Sequence, residues 1–380
     1  MNITFNEYLD LYRYYSLSSF FGNIFSGFLI DSFFGLNKSA ITFSAGISIS
    51  CFLVLLGFKL NNLSIMVLSR ALLGLFVEPL VVTRTKFTTK YFSNTLIFGI
   101  LFSFVRGGSV TLVNILGFIY DYLKPKGETY AMTIVFVTVA IMSFSMFILC
   151  IFLASLNTKL DATHTAGQEV DSDNISTVKA LKTFSSSGWT AILMFALIYS
   201  SLDTFYSIAT RFFQVYYNYK PKYARFLAGL PYTIAVFVCP LIGYFINKVK
   251  FHILWVLTAG TLMASSFLVM ILKNLSFSAE VSMICMGLSY SIMAPTLNVV
   301  IAFLVPLKYH GNAFGLCYAL LRLAQFLVTA IVQYFNFGYL QMLYLISILL
   351  FFLLILSLKL ATGRDVKMTF EHYIRDFLQM

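Results

Sequence analysis

The first apolar run of the chain closes with the sequence Gly27-Phe-Leu-Ile-Asp31-Ser-Phe-Phe-Gly35-Leu-Asn-Lys38, here called the signature. Its two glycines allow helices to approach closely and the chain to turn sharply. Its acid is predicted to lie at the N-terminal end of the next helix, where the helix dipole favours negative charge, and its cation in the turn. A degenerate copy, Gly243-Tyr-Phe-Ile-Asn247-Lys248, closes a later apolar run. This recurrence indicates parallel structural repeats.

The composition places the chain in a membrane. Of its 380 residues, 59% are hydrophobic and 11% are charged, whereas about a quarter of a soluble domain is charged. A membrane helix takes about 20 apolar residues, so the apolar content fills about eleven helices. A soluble enzyme, a nucleic-acid-binding domain and a disordered chain are excluded, and so is a β-barrel, whose strands alternate. The net charge of +11 is scattered between apolar runs and indicates loop cations that orient the spans.

Eleven membrane helices are predicted, in a group of five and a group of six, between clusters of Gly, Asn, Lys and Pro. They cover about 14–31, 40–58, 64–83, 95–121, 130–156, 188–210, 224–247, 251–272, 279–306, 312–335 and 338–359. Four regions follow from this pattern. Residues 1–156 form an N-terminal bundle, 157–187 a cytosolic central loop, 188–359 a C-terminal six-helix bundle and 360–380 a cytosolic tail.

The loop charges predict the orientation of the helices. Loops on the side of the central loop and the tail carry fourteen Lys and Arg residues, and loops on the opposite side carry nine. Because Lys and Arg are in excess on the cytoplasmic side of membrane proteins, the central loop and the tail are predicted to be cytosolic.

The signature and its copy resemble the cytoplasmic loop signature of the major facilitator superfamily, which follows the second helix of that fold. The resemblance implies an all-α integral membrane protein with two helix bundles. Further strings, over about residues 5–360, resemble the lysosomal dipeptide transporters of that superfamily. These strings include Arg70, Gly74-Leu-Phe-Val-Glu78, Arg106-Gly-Gly-Ser109, Gly287-Leu-Ser-Tyr-Ser291 and Gly311-Asn-Ala-Phe-Gly315. In the signature, the resemblance gives a conformational role to Gly27, Asp31, Gly35 and Lys38.

The resemblance implies a transporter that moves small zwitterionic solutes, above all dipeptides, across the lipid bilayer by alternating access. It implies no cofactor and a lysosomal or vacuolar membrane, with the plasma membrane as the alternative. A homodimer or a single-span glycosylated accessory protein is the implied partner. The chain departs from the family in several places. The first family helix is expected to be absent, by truncation or by real loss, Asn298 stands where the family has a tryptophan, and the charges at Asp203 and Arg322 are not part of the family pattern.

Ionisable side chains inside a membrane cost about 2.5–3.5 kcal/mol each, so they pair, bind a ligand or line water. The predicted spans contain Arg70, Glu78, Arg106, Asp203 and Arg322. Asp203 and Arg322 lie on helices expected to be neighbours, and they are interpreted as a structural ion pair.

The resemblance places a substrate-contacting Glu and Arg at Glu78 and Arg106. The hypothesis is that Glu78 receives the substrate amino group and that Arg106 receives the carboxylate through two hydrogen bonds. A structural ion pair between these two residues is the alternative. Arg70, Tyr199 and Asn298 are further substrate-binding candidates, each with a packing role as the alternative.

Two rival classes of function remain to be weighed. An intramembrane enzyme is disfavoured because the four histidines are predicted in loops or in the tail, so no catalytic base and no metal site is expected within the membrane. A transport-inactive sensor or scaffold would keep the same repeat and the same charges. A major facilitator transporter of another small polar solute, such as a sugar, an amino acid or an organic anion, is the further alternative.

Eleven spans are an odd number, so the two termini are predicted to lie on opposite sides of the membrane. With the tail in the cytosol, Met1 faces the lumen or the exterior, and the sequon Asn2-Ile-Thr4 lies on the side where glycosylation occurs. Antibody access to tags at the two ends tests this arrangement. Two cytosolic termini would show that a span is miscounted.

Overall fold

The computed structural model describes residues 5–92, 94–164, 182–249, 251–272 and 278–334. Within these ranges the chain forms ten long α-helices and no β-strand. They are α1 Phe5–Phe28, α2 Gly35–Lys59, α3 Leu63–Tyr91, α4 Thr95–Leu123, α5 Glu128–His164, α6 Ser186–Tyr216, α7 Pro221–Val249, α8 His252–Leu272, α9 Ser278–Leu304 and α10 His310–Tyr334. These helices match ten of the eleven predicted ones. The eleventh, predicted at 338–359, the tail and most of the central loop lie outside the described residues.

Eight of the described helices, α2 to α9, are long and apolar enough to cross a membrane. The chain is therefore a multi-pass membrane protein. The two remaining helices, α1 and α10, are more polar. Several polar side chains of α1 are turned inward, and Ser19, Asn23 and Ser26 have no exposed surface. A helix that packs against other helices can carry polar side chains on the faces that do not contact lipid. This explains why the mean hydropathy of α1 is too low for it to be recognised as a membrane span.

The signature forms a break between two helices. Residues Leu29–Phe33 continue α1 as a short π-helix, and α2 begins at Gly35. Gly35 has a φ of 66°, a conformation that glycine adopts without the steric cost borne by other residues. The second glycine of the signature thus provides the sharp turn that the sequence predicts.

The helices pack into two compact units. Unit 1 comprises Met1–Lys90, Leu112–Thr183 and Leu307–Phe326, as far as these residues are described. Unit 2 comprises Tyr91–Thr111, Phe184–Pro306 and Leu327–Met380, with the same restriction. In unit 1, α2 packs along α5, and in unit 2, α9 packs along α7 and α8. Helix α9 forms the core of unit 2, since 83% of the residues in its most apolar stretch are buried.

Both signature helices lie very close to a helix from the other half of the sequence. In unit 1, a Cβ atom on Gly27 would lie 2.8 Å from the Cα atom of Asn312 in α10. In unit 2, Gly243 of α7 lies against α4, where a Cβ atom on Gly99 would lie 2.5 Å from the carbonyl oxygen of Cys239. Glycine at these crossings allows backbone-to-backbone contact, as it does in many membrane helix pairs.

Replacing Gly99 by Ala should separate α4 from α7 and destabilise the protein by about 1–3 kcal/mol, the usual cost of overpacking. Gly117→Ala is the matched control, because it lies on the same helix and a Cβ atom there meets no atom within 4 Å. Thermal unfolding in detergent, followed by size-exclusion chromatography, measures the difference. Equal melting of the two variants would show that the crossing tolerates a methyl group.

Candidate functional site

Asp31 binds the N-terminal end of α10 within unit 1. Its Oδ1 atom accepts from Lys86 Nζ at 2.5 Å and from the Gly311 amide at 3.2 Å. Its Oδ2 atom accepts from the backbone amide of Asn312 at 2.8 Å and from Asn312 Nδ2 at 2.6 Å. The carboxylate is fully buried. The first amides of a helix have no partner within the helix and attract negative charge, so Asp31 and the end of α10 satisfy each other.

This geometry corrects one expectation from the sequence and identifies the cation that Asp31 binds. The helix that Asp31 caps is α10 and not α2, the next helix in the chain. The cation that Asp31 pairs with is Lys86 on α3, while Lys38 of the signature is exposed. The physical reason is the close approach of α1 to α10, where a Cβ atom on Gly311 would collide with the Asp31 carboxylate.

A second buried ion pair lies within unit 1, between α3 and α10. Glu78 Oε1 accepts from Arg322 Nη2 at 2.5 Å and from the Tyr15 hydroxyl at 3.1 Å. Arg322 Nη1 donates to Gln325 Oε1 at 2.6 Å. The Glu78 and Arg322 side chains are 6% and 13% exposed, so removing either partner would leave a buried charge without compensation.

The sequence predicts that Arg322 pairs with Asp203, and this pairing stays a prediction. Within unit 1, Arg322 binds the carboxylate of Glu78. Glu78 was expected to receive a substrate amino group. Its charge is balanced by Arg322 in this structure.

Arg106 on α4 is held by tyrosines within unit 2. Its Nε atom donates to the Tyr290 hydroxyl at 2.7 Å. Its guanidinium carbon lies 4.2 Å from the centre of the Tyr232 ring and 4.7 Å from that of Tyr290. Within the described residues, its two Nη groups donate no hydrogen bond. Cation–π contacts stabilise the charge and leave the forked end of the side chain available for a carboxylate.

Two tyrosines from one face of α6 complete the surroundings of Arg106. We call the four rings of Tyr199, Tyr206, Tyr232 and Tyr290 the tyrosine cage. Tyr199 packs edge-on to Tyr290, with ring centres 6.1 Å apart, and Tyr206 packs on Tyr232 at 4.3 Å. Tyr199 was a predicted site residue, and the structure brings it to the same ring as Arg106. Sequence reasoning missed Tyr206, Tyr232 and Tyr290, because the chain has 23 tyrosines and no signal separates these three from the others.

Two other predicted site residues form no hydrogen bond with the side chains described above, within the described part of the chain. Asn298 on α9 is fully buried, and its Nδ2 atom donates to the carbonyl of Ala294 in the same helix at 2.7 Å. Its Oδ1 atom has no hydrogen-bond partner among the described residues. Arg70 on α3 is half-buried and makes no hydrogen bond or ion pair within the described part of the chain.

The described ranges contain no group of three His, Cys, Asp or Glu side chains arranged to hold a metal ion. Three of the histidines predicted in loops lie at helix ends, with His164 closing α5, His252 opening α8 and His310 opening α10. In unit 1, His310 Nδ1 lies 2.9 Å from Thr89 Oγ1, close to the Asp31 cluster on the same two helices.

The apolar helices, and the Asp31 carboxylate of the signature bound at the start of α10, agree with the family to which the sequence is matched. The model of the Major Facilitator Superfamily matches residues 3–329. The chain belongs to this superfamily. Membership confirms the predicted all-α fold and makes transmembrane transport the function class of the chain.

The chain is also similar to individual proteins. The lysosomal dipeptide transporter MFSD1 of Danio rerio is 24% identical over 320 residues, which is 83% of this chain and 69% of that protein. The human protein of the same name is 25% identical over 339 residues, or 87% of this chain and 72% of that protein. Among solved structures, the transporter FucP in the outward conformation has a TM-score of 0.74 at 12% identity, covering 96% of this chain and 92% of that chain. This last likeness shows the fold alone.

Replacing Asp31 by Asn keeps the shape of the side chain but removes the charge that Lys86 and α10 bind. We expect nearly normal expression and slower cycling between conformations. Amide hydrogen exchange at Gly311 and Asn312 should become faster, because each charged hydrogen bond lost contributes about 1.5–3 kcal/mol.

The control for this variant is Glu128→Gln, which breaks the pair with Lys124. That pair is 3.4 Å long, with side chains 53% and 70% exposed, and exposed pairs contribute little. Unchanged exchange in Asp31→Asn would show that the carboxylate does not hold the end of α10.

Proposed function

We propose that the chain moves small zwitterionic solutes, dipeptides foremost, across a lysosomal or vacuolar membrane by alternating access. The relatives named as lysosomal dipeptide transporters support this substrate class and this membrane. The observation that carries the proposal is the guanidinium of Arg106 in the tyrosine cage. It is a fixed cation inside a membrane helix, with its forked end unused within the described residues.

Arg106 suits a carboxylate in both charge and shape. A guanidinium donates two parallel hydrogen bonds to a carboxylate, a geometry that a lysine ammonium lacks. Tyr232 and Tyr290 hold the guanidinium plane without presenting an anion that competes with the substrate. Their rings also provide the apolar wall that small-molecule sites use for the uncharged part of a ligand.

The charge of Arg106 favours some substrates over others. A sugar has no formal charge for a guanidinium to bind, so it would not offset the free-energy cost of placing a cation inside the membrane. Amino acids, dipeptides and organic anions all carry a carboxylate. The resemblance to dipeptide transporters selects dipeptides, in which the amino and carboxylate groups lie about two residue lengths apart, roughly 6 Å.

The other predicted site residues take supporting roles in this proposal. Tyr199 lines the site through its contact with Tyr290. Arg70 offers a half-buried guanidinium on α3, and Asn298 offers the unsatisfied Oδ1 atom of a buried amide on α9. Arg322 binds the Oε1 atom of Glu78, so an amino group that reaches Glu78 binds its Oε2 atom or displaces Arg322.

A transport-inactive sensor would bind the solute without moving it. Reconstituted vesicles separate the two cases, since a sensor gives ligand-dependent thermal stabilisation of the purified protein but no accumulation of labelled dipeptide in the vesicle lumen.

Replacing Arg106 by Lys keeps the charge but loses the planar fork, so we expect dipeptide uptake to fall about tenfold or more, the effect of losing one charged hydrogen bond. Uptake of a labelled dipeptide into proteoliposomes measures this loss. Arg225→Lys is the control, because Arg225 is an exposed arginine on α7. This variant should transport the dipeptide at the normal rate. Full uptake by Arg106→Lys would rule out bidentate binding of the carboxylate.

A further inference from the structure

We propose that the hydroxyl of Tyr206 on α6 donates a hydrogen bond to the peptide carbonyl of a bound dipeptide. The inference rests on the proposed transport of dipeptides and deepens it, because it names a group that separates a dipeptide from a single amino acid. Arg106 binds a carboxylate, which both kinds of solute carry. A second polar contact at the peptide group favours the dipeptide alone.

The ring of Tyr206 belongs to the tyrosine cage within unit 2. Its centre lies 4.3 Å from the centre of the Tyr232 ring, and the guanidinium carbon of Arg106 lies 4.2 Å from that same centre. Tyr232 also packs edge-on to Tyr290, with ring centres 6.1 Å apart, and the Tyr290 hydroxyl accepts the hydrogen bond from Arg106. Tyr206 and Arg106 are therefore neighbours of one and the same ring.

The hydroxyl of Tyr206 differs from those of other tyrosines inside the helix units. Its oxygen is buried and has no hydrogen-bond partner among the described residues. The hydroxyls of Tyr15 and Tyr217, by contrast, donate to the Glu78 carboxylate and to the carbonyl of Met270. Buried polar groups are nearly always hydrogen-bonded in proteins, so an exception indicates a further partner, such as a ligand.

Packing does not require a hydroxyl at this position. The ring of Tyr206 lies against Tyr232, and a phenylalanine would make the same contact between rings. Burying a hydroxyl without a partner is unfavourable in the ligand-free protein. That cost is offset only in a state in which the hydroxyl is bound, and a transporter passes through such a state each time it binds its substrate.

A peptide carbonyl suits this hydroxyl in chemistry and in position. A phenol donates one hydrogen bond, and a carbonyl oxygen can accept two. In a dipeptide the carbonyl lies about one residue from the carboxylate, and consecutive Cα atoms are about 3.8 Å apart. A carboxylate on Arg106 therefore brings the peptide group next to the ring that Arg106 and Tyr206 share. Without the hydroxyl, that carbonyl would lie against aromatic rings with no donor, which is costly.

The experiment measures how well unlabelled dialanine and unlabelled alanine inhibit the uptake of labelled dialanine by proteoliposomes that contain the full chain. Wild-type protein should prefer dialanine by about tenfold or more, the effect of one hydrogen bond to a group that is otherwise buried without a donor. Tyr206→Phe should reduce this preference by about the same factor and leave inhibition by alanine unchanged. Tyr244→Phe is the matched control, because it makes the same chemical change on α7 at a side chain that is 52% exposed.

Thermal melting of the purified protein separates a ligand contact from a structural role. Without solute, Tyr206→Phe should melt at the wild-type temperature or above it, because the substitution removes a buried hydroxyl that has no partner. With saturating dialanine, the variant should gain less stability than wild-type protein. A lower melting temperature of the ligand-free variant would show that the hydroxyl is bound within the protein itself, and the inference would be wrong.

An ester analogue tests which atom of the peptide group is bound. In alanyl-lactate an oxygen replaces the peptide N–H, while the carbonyl remains. Inhibition by this analogue should also weaken in Tyr206→Phe. If the substitution weakens dialanine but not the ester, the hydroxyl accepts from the peptide N–H, and the assignment of the carbonyl is wrong.

Two further outcomes of the uptake experiment contradict the inference. If dialanine and alanine lose potency equally in Tyr206→Phe, the residue positions Arg106 and does not contact the peptide group. If neither solute loses potency, the hydroxyl is hydrogen-bonded by water alone.

Failure of the proposed function gives a different result. If wild-type vesicles take up no dialanine, transport of dipeptides is wrong, and the role of Tyr206 is judged on the melting of the purified protein. Stabilisation of wild-type protein by dialanine and not by alanine, lost in Tyr206→Phe, supports the inference. The absence of any stabilisation of wild-type protein by dialanine overturns it.

Discussion

The buried carboxylate of Asp31 is the contact on which the packing of unit 1 depends. Four donors from α3 and α10 converge on its two oxygens, so one side chain joins three helices that are far apart in sequence. The contact requires glycine, because a side chain at Gly27 or Gly311 would push α10 away from α1. The amides of α10, the Asp31 carboxylate and the two glycines therefore depend on one another. Without any one of them, the buried polar groups that remain would lack partners.

The seam formed by α1, α3 and α10 carries a second charged contact farther along the same helices. Glu78 and Lys86 are eight residues apart on α3, which is about 12 Å along the helix axis. Arg322 meets Glu78, and the start of α10 meets Asp31 beside Lys86. Helix α10 is thus fixed to α3 at two depths, by two buried charge clusters. In any motion that separates α10 from α3, both clusters must open together or find new partners, which makes intermediate positions costly.

The sequence predicts the charges of the site better than their partners. The signature, its copy and the charged residues within the spans are visible because each breaks an apolar pattern. Partners depend on which helices cross. Arg322 and Glu78 are 244 residues apart, and nothing local in the sequence indicates that α10 lies against α3. The same reasoning applies to Lys86, which binds Asp31 although the two residues are 55 positions apart in the chain. Tyr206, Tyr232 and Tyr290 were missed for another reason, because the chain has 23 tyrosines and a single tyrosine carries little information.

Arg106 and Arg322 both lie beside aromatic rings, but they differ in how many of their hydrogen-bond donors are bound. Arg322 is bound by a carboxylate and an amide oxygen at its two Nη groups. Arg106 has rings on its plane and a phenol at Nε. A carboxylate partner neutralises a guanidinium, whereas aromatic faces stabilise it by their quadrupoles and leave its charge in place. A structural arginine gains from the first environment, since full pairing lowers the cost of burial. A binding arginine needs the second, because a solute carboxylate can bind only to donors that no other anion holds. The difference in environment separates Arg106 from Arg322 on physical grounds.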